Sequence, residues 1–129
     1  MFERMIPQIS QWAQENPMIE AVFLVGSYAR GTPTPQSDLD VMILTPQKLF
    51  FLEHTQFAHS FGPVIASQWE DYGPCTSLRV WYQGGEEVEF GLVEPSWLQQ
   101  PLDPGSREVL QGGYRVLVDK PGYFQDLIL

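Results

Sequence analysis

Two apolar runs with an irregular loop between them constrain the fold of this chain more than any other feature. The first run, Ala21–Val25, is continuously apolar and stops at a glycine, which is typical of a strand buried on both faces. The second run, Leu39–Thr45, has a similar composition. Between them, Pro33 and Pro35 exclude regular structure. The sequence therefore predicts two buried strands that bracket one loop.

Helix-like and strand-like patterns alternate along the rest of the sequence. Predicted helical segments are Phe2–Glu15, Pro46–His59, a short turn at Trp97-Leu98 and the start of a helix in residues 123–129. Predicted strands are Val64–Trp69, Ser77–Gln83, Glu86–Val93 and Tyr114–Val118, with a polar loop before the last one. The second and third of these strands flank two glycines and should form a hairpin. The sequence thus predicts an α/β (α+β) fold with a mixed, largely antiparallel sheet and helices mainly on one face.

Length and composition fit one domain covering residues 1–129. Hydrophobic residues make up 43% of the chain, and a domain of this size can bury roughly two-thirds of its unfolded surface. Disorder is therefore excluded for most of the length. Seven basic residues face sixteen acidic ones, so the net charge is −9 and the chain repels phosphate backbones at long range. A polynucleotide partner is accordingly not expected.

Cysteine usage and hydropathy favour the cytoplasm. Cys75 is the only cysteine, so the chain can form neither an intrachain disulfide nor a zinc site built from thiolates. No apolar run has the length of a signal-peptide core or approaches the roughly 18 residues of a membrane-spanning helix. We expect a cytoplasmic protein without membrane contact.

The loop between the two apolar runs carries the candidate chemistry. Gly26 and Ser27 stand where the first strand ends, and such a corner presents backbone N–H groups suited to an anion. The serine can add a hydroxyl donor. Asp38 and Asp40 stand at the start of the next strand, so their side chains leave the same face with Cα atoms about 6.5–7 Å apart. Both carboxylates can therefore reach one cation.

A third acidic residue lies in the predicted hairpin. Glu89 stands between two apolar residues, as an acid on the open face of a strand should. If its strand lies about 4.8 Å from the strand of Asp38 and Asp40, three carboxylates converge on one small volume. Their repulsion requires a cation, and Mg²⁺ (or Mn²⁺) suits because it takes one or two carboxylates and shares its shell with substrate phosphates. These residues predict a metal site for in-line displacement at phosphorus, in which an unpaired acid accepts the nucleophile's proton.

Together these residues resemble a known family. A Gly-Ser pair, ten intervening residues, Asp-Leu-Asp and a distant acid between apolar residues are similar to the pattern of the DNA polymerase β superfamily of nucleotidyltransferases. The resemblance implies that Gly26 and Ser27 hold a nucleoside triphosphate. It further implies that Asp38 and Asp40 bind the metals and that Glu89 completes the catalytic triad. The expected reaction moves a nucleoside monophosphate, AMP from ATP, to a hydroxyl acceptor.

A closer resemblance is to the N-terminal domain of streptomycin-type aminoglycoside nucleotidyltransferases and to small stand-alone bacterial nucleotidyltransferases. It continues through the hairpin into EPSWL and VLVDKPG, so it covers most of the chain from about Ala21 onward. The third acid is most often Asp in these enzymes and is Glu here. The aminoglycoside enzymes continue into a helical domain, for which this sequence has no counterpart before Leu129.

Other polar residues near this pattern have more than one interpretation. Arg30 is close to the corner and its planar donors suit a phosphate, but a surface arginine paired with an acid is an equally good explanation. Ser37 is assigned to the nucleotide site with it. Glu86, Glu87 and Glu94 are interpreted as a solvated rim of the hairpin, or else as groups that attract a cationic acceptor.

Two other functions fit the same residues. The chain can be a regulatory module similar to the antitoxin half of two-component systems, in which a small nucleotidyltransferase pairs with a helical partner protein. It can also bind a nucleotide without turnover. A homodimer contact or a helical partner would then replace the missing helices, and exposed apolar surface near the C-terminus would mark that interface.

Overall fold

A six-stranded open sheet forms the framework of the protein. In the computed structural model, which describes residues 1–129, the strands are β1 (Ala21–Val25), β2 (Leu39–Leu44), β3 (Val64–Tyr72), β4 (Cys75–Tyr82), β5 (Glu87–Val93) and β6 (Tyr114–Asp119). Their order across the sheet is β3-β4-β5-β2-β1-β6. Only β2 and β5 pair in parallel, and the other pairings are antiparallel. The prediction of a mixed, largely antiparallel sheet is confirmed.

Helices cover the two faces of the sheet unequally. The α-helices are α1 (Met5–Glu15), α2 (Ser27–Arg30), α3 (Lys48–Glu53) and α4 (Pro104–Gln111), and 3₁₀-helices span Thr55–Phe61 and Pro95–Leu98. The larger core, of 21 buried residues, joins one face to α1, α3 and the first 3₁₀-helix. The smaller core, of 9 buried residues, joins the other face to the second 3₁₀-helix and α4. Helices therefore lie mainly on one face, as predicted. None of them has the length and apolar character that a membrane crossing requires.

The strand β1 is buried on both faces, as its unbroken apolar sequence predicts. Val22 and Leu24 point into the larger core, whereas Ala21 and Phe23 point into the smaller one. All four side chains are fully buried. Because β1 is packed on both faces, its position in the sheet is fixed, and so is the start of the loop that follows it.

The hairpin of β4 and β5 is confirmed, with Trp81 paired to Glu87 across the glycine turn. The strand β3 is longer than predicted and ends at Tyr72 rather than at Trp69. It forms a second hairpin with β4, closed by a turn in which Gly73 has a φ of 78°. The β3 strand thereby becomes the edge of the sheet.

The prediction of one helix from Pro46 to His59 is wrong. The chain makes a turn before α3 begins at Lys48, and His54 interrupts the helix with a φ of −127° and a ψ of 89°. The tighter 3₁₀-helix that follows turns Phe57 and Phe61 toward the sheet. Packing of these two rings on the larger core outweighs the continuation of a regular helix.

Two further sequence predictions near the C-terminus are wrong. The segment predicted as a polar loop contains α4, whose start is defined by an Asp103 side chain that accepts the N–H of Ser106 at 3.0 Å. Residues 123–126 form a turn and residues 127–129 have no regular structure, so no helix starts here. There the Asp119 carboxylate accepts the backbone N–H groups of Tyr123 and Phe124, which holds the chain in a turn.

Candidate active site

Three acidic side chains converge where β2 and β5 run side by side. The parallel pairing places Asp40 directly opposite Glu89, and Asp38 immediately precedes β2. One carboxylate oxygen of each residue lies within 4.8 Å of the other two. The structure therefore brings together the three acids that the sequence predicted to converge. We refer to Asp38, Asp40 and Glu89 as the carboxylate triad.

Alternation along β2 directs the acidic side chains away from the larger core. Leu39, Val41 and Ile43 are fully buried in that core. Because side chains alternate between faces, Asp40 leaves the opposite face and stays partly exposed. The apolar residues thus anchor the strand that presents the acid.

Asp40 occupies an unfavourable position for a charged carboxylate. Burial is the main cause, and the negative charges of Asp38 and Glu89 add to it. Together they raise the pKa of Asp40 from 3.8 to about 7. Asp40 therefore keeps its proton to a higher pH than an ordinary aspartate unless a cation binds. A positively charged ligand would stabilise the ionised carboxylate of Asp40.

Arg79 holds the acids of this region together. It stands opposite Glu89 in the β4–β5 hairpin, and its side chain is only 20% exposed. It donates to Glu89 at 2.9 Å and to Asp38 at 3.1 Å, so it bridges two members of the triad. It also donates to Glu70 and Glu87, each at 2.5 Å. Burial disfavours the charged guanidinium, but these hydrogen bonds outweigh burial and raise the pKa of Arg79.

The region around Arg79 keeps an excess of negative charge. One guanidinium faces five carboxyl groups, which are those of Asp38, Asp40, Glu70, Glu87 and Glu89. Two like charges 4 Å apart repel by on the order of 4 kcal/mol at an effective dielectric near 20. The region therefore favours a further cation.

Gly26 brings the end of β1 against the carboxylate triad. Its φ of 76° lies in the left-handed region that favours glycine. A Cβ atom at this position would also collide with Oδ2 of Asp40. Ser27 follows as the first residue of α2, which completes the predicted corner. The corner and the triad are thus neighbours, joined by the pairing of Val25 with Asp40.

The structure brings neither of the other two predicted nucleotide ligands into hydrogen-bonding contact with the triad. Arg30 is exposed at the end of α2 and forms no ion pair, and its methylene groups lie against Gly113. The hydroxyl of Ser37 accepts the N–H of Thr34 at 2.9 Å and so closes the loop on itself. Both residues lie in the loop region between β1 and β2.

A cavity of about 430 Å³ lies beside the triad. Asp40 and Glu89 form part of its wall. The remaining wall comes from the same face of the sheet, from the turn between β3 and β4, from the second 3₁₀-helix and from α4. The site therefore combines charged groups with an open cavity of the size that a small molecule fills.

A comparison with family models decides the family of this chain. The model of a nucleotidyltransferase domain matches residues 6–89, which include the Gly26–Ser27 corner and all three acids of the triad. The matched region is more than half of the chain. The chain belongs to the nucleotidyltransferase domain family. No curated protein sequence matches it significantly.

One solved structure shares the fold of this nucleotidyltransferase domain at low sequence identity, and others resemble it more weakly. An aminoglycoside 6-adenyltransferase from Bacillus subtilis is 17% identical with a TM-score of 0.61, over 75% of this chain and 36% of that chain. The Cid1 poly(U) polymerase is 14% identical with a TM-score of 0.44, over 70% of this chain and 31% of that chain. A CCA-adding enzyme is 18% identical with a TM-score of 0.43, over 95% and 30%. The chain spans about a third of the length of these proteins.

The donor set of this nucleotidyltransferase domain fits a divalent metal. Carboxylate oxygens are the hard ligands that Mg²⁺ and Mn²⁺ prefer. Of these two acids, Arg79 binds only Oδ2 of Asp38 and Oε2 of Glu89, so it leaves the other oxygen of each carboxylate to a metal. Side-chain exposures of 29% for Asp38 and 15% for Glu89 leave room for water or phosphate oxygens.

Arg79 and its contact with Glu87 are not predicted from the sequence. The sequence predicts Glu87 on a solvated rim, or as a group that attracts a cationic acceptor, but Glu87 is half-buried and accepts a hydrogen bond from the guanidinium of Arg79. The signal was present in the predicted hairpin, because a turn centred on Gly84 places Arg79 opposite Glu89. Glu70 could not be found this way, since the β3–β4 register was not predicted.

Proposed function

We propose that this domain transfers a nucleoside monophosphate, AMP from ATP, to a hydroxyl group of a small-molecule or protein acceptor, with Mg²⁺ or Mn²⁺. The carboxylate triad beside the Gly26–Ser27 corner carries the proposal. The family supports nucleotidyl transfer in general. The shared fold of an adenyltransferase supports the choice of AMP as the transferred group.

Asp38 and Asp40 hold the divalent cation, and Glu89 is available as a third ligand. When bound, the cation neutralises the triad and polarises phosphate oxygens. The raised pKa of Asp40 supports this assignment, because a cation restores the ionised form that burial disfavours. The free oxygen of Asp38 is a further ligand atom.

Gly26 and Ser27 bind the phosphates of the nucleotide. The close approach of the Gly26 backbone to Asp40 supports this role, since it sets the phosphates beside the metal ligands. Arg30 is an exposed cation at the end of α2 that can add a planar pair of donors. Ser37 contributes by closing the loop through its contact with Thr34.

Glu89 accepts the proton of the acceptor hydroxyl. The hydroxyl oxygen forms a bond to the α-phosphorus, and the bond from that phosphorus to the oxygen bridging to the β-phosphate breaks. Pyrophosphate leaves with the electron pair of the broken bond, and the proton moves to the carboxylate. Arg79 supports this step because it fixes one oxygen of Glu89 and leaves the other free.

Transfer can be measured with ATP labelled at the α-phosphate. We expect the wild-type domain with Mg²⁺ to label a hydroxyl acceptor and to release pyrophosphate, within a panel of aminoglycosides, smaller alcohols and candidate partner proteins. The Asp40→Asn variant should lose this activity. Glu94→Gln is the matched control, because Glu94 is exposed and its side chain makes no hydrogen bond.

Absence of product with every triphosphate and acceptor would contradict the proposal. Calorimetry with Mg²⁺ and ATP would then decide between the remaining functions. Heat of binding without turnover would favour a nucleotide-binding domain. No binding, together with co-purification of a helical protein, would favour the regulatory module.

A further inference from the structure

The cavity beside the triad lies on the Glu89 side of the metal ligands. Its sheet wall comes mainly from β2, β5 and β4, and β1 contributes a single residue. None of the candidate nucleotide ligands Gly26, Ser27, Arg30 and Ser37 lines it. A molecule in this cavity would therefore lie next to Glu89, the proposed proton acceptor, and away from the Gly26–Ser27 corner.

The floor of the cavity is polarisable. The sulfur atoms of Met42 and Cys75 cover Gly91, since they lie 2.8 and 2.9 Å from the position that a Cβ atom would take there. Trp97 lines the cavity from the second 3₁₀-helix and is held by its ring contact with Phe23 at 5.8 Å. Sulfur atoms and an indole ring favour an aromatic or aliphatic group over a strongly hydrated one.

The fixed charges in the lining are all negative. Besides two members of the triad, the lining contains Asp103 and no lysine or arginine. Lys48 donates to the Pro74 carbonyl at 2.9 Å but is not part of the lining. An acceptor that carries its own phosphate or carboxylate is therefore disfavoured.

The lining offers few free hydrogen-bonding groups. The hydroxyl of Ser106 donates to Asp103 at 2.9 Å, and that of Ser77 lies 3.7 Å from the Cys75 sulfur. A molecule with many hydroxyl groups would lose its hydration here without recovering the hydrogen bonds. The lining therefore disfavours a polyhydroxylated sugar as the occupant.

We propose that this cavity receives the body of the acceptor, and that the acceptor is a compact alcohol with an aromatic or aliphatic body that is neutral or carries one positive charge. The inference rests on the proposed function, because it assigns the acceptor of that reaction. A volume of about 430 Å³ lies in the usual range for small-molecule sites, about 300–1,000 Å³. The hydroxyl of the bound alcohol faces Glu89, which takes its proton.

Alkylation of Cys75 tests occupancy without ATP or metal. This residue is the only cysteine and lines the cavity, so N-ethylmaleimide reports on it alone. We expect 4-biphenylmethanol and 2-amino-1-phenylethanol to slow alkylation about tenfold at ten times their Kd. Kanamycin and glycerol 3-phosphate should leave the rate unchanged. The inference is overturned if neither aromatic alcohol protects, or if either comparison compound protects as well as they do.

A pair of valine variants tests the location. Val109 lines the cavity from α4 and is 40% exposed, whereas Val116 lies on β6 outside the cavity and is 37% exposed. Val109→Trp should abolish protection of Cys75, and Val116→Trp should retain it. Binding of Mg²⁺ and ATP, measured by calorimetry, should be the same in both variants. Equal protection in both variants would place the alcohols elsewhere and overturn the inference.

A transfer assay separates this inference from the proposed function. Alcohols that protect Cys75 should become labelled when ATP labelled at the α-phosphate and Mg²⁺ are present. If the wild type labels some other acceptor but never a protecting alcohol, the acceptor assignment fails and nucleotidyl transfer stands. If no acceptor is ever labelled, the proposed function fails, and with it the assignment of this cavity to an acceptor.

Discussion

The two faces of the central strands β2 and β5 differ in chemistry, although successive residues of the same strands supply both faces. On the face covered by α1 and α3, Val41 and Phe90 are fully buried in the larger core. On the opposite face, the neighbouring residues Asp40 and Glu89 form the triad with Asp38. The comparison shows how burial on one face can hold repelling acids on the other.

Aromatic packing makes the face covered by α1 and α3, which we call the helical face, rigid. Phe90 contacts Phe57 and Phe61, with ring centroids 5.5 and 5.8 Å apart. Trp12 of α1 stacks on Phe57 at 5.7 Å. Because β5 is fixed by these contacts, Glu89 cannot move away from Asp40 to relieve their repulsion. We therefore expect substitutions on the two faces to affect different properties.

The largest expected effect is on activity, at the opposite face, which carries the triad and which we call the open face. Glu89→Gln keeps the shape of the side chain but cannot accept a proton, so transfer should fall about 10²–10⁴-fold. Its free energy of unfolding should stay close to that of the wild type. Steady-state release of pyrophosphate measures the first property, and urea denaturation measures the second. A variant with full transfer would remove Glu89 from the role of base.

The next largest effect is on stability, at the helical face. Phe90→Ala leaves a cavity in the larger core and should lower the free energy of unfolding by about 3–5 kcal/mol. Phe50→Ala is the control, because Phe50 is 39% exposed and should cost much less. Urea denaturation compares them. Equal losses in the two variants would show that the helical face does not supply the rigidity assigned to it.

An intermediate effect is expected where the open face is tied together by Arg79. Arg79→Met removes the guanidinium, and the loss of its hydrogen bonds to charged groups should cost about 2 kcal/mol in metal-free protein. Saturating Mg²⁺ should restore more stability to this variant than to the wild type, because more repulsion remains to be relieved. Arg115→Met is the control, since Arg115 is exposed and forms no ion pair. An identical gain from Mg²⁺ in Arg79→Met and the wild type would contradict the charge balance described above.

The last expected effect is the pH dependence that Asp40 imposes. The folded pKa of about 7 exceeds the ordinary value of 3.8, so the folded state binds more protons than the unfolded state between these values. The free energy of unfolding of the metal-free protein should therefore fall as pH rises from about 4 to 7. Asp40→Asn should remove this part of the slope. Parallel pH profiles for the variant and the wild type would contradict the raised pKa.

Much of this arrangement could be predicted from sequence because it depends on local patterns. The unbroken apolar run of β1 and the alternation in β2 determine which side chains enter the cores. The spacing of Asp38 and Asp40 fixes their common face. Convergence of Glu89 with these two acids requires that β5 lie beside β2. The parallel pairing of the two strands meets that condition.

The parts that were not predicted depend on contacts between distant residues. Arg79 gains its importance from four acids on other segments, including Glu70 at the edge strand. The cavity depends on α4, where the sequence predicts a polar loop although Asp103 and Pro104 form a favourable helix start. The C-terminal turn depends on Asp119, whose carboxylate accepts the backbone N–H groups of three successive residues, 122 to 124.

Binding of Mn²⁺ measured by calorimetry tests the central claim most directly. The claim is that the carboxylate triad forms one cation site. We predict that the wild type binds Mn²⁺, that Glu94→Gln binds it equally well, and that a variant carrying both Asp38→Asn and Asp40→Asn loses binding while it remains folded. Unchanged Mn²⁺ affinity in the folded double variant would contradict the claim.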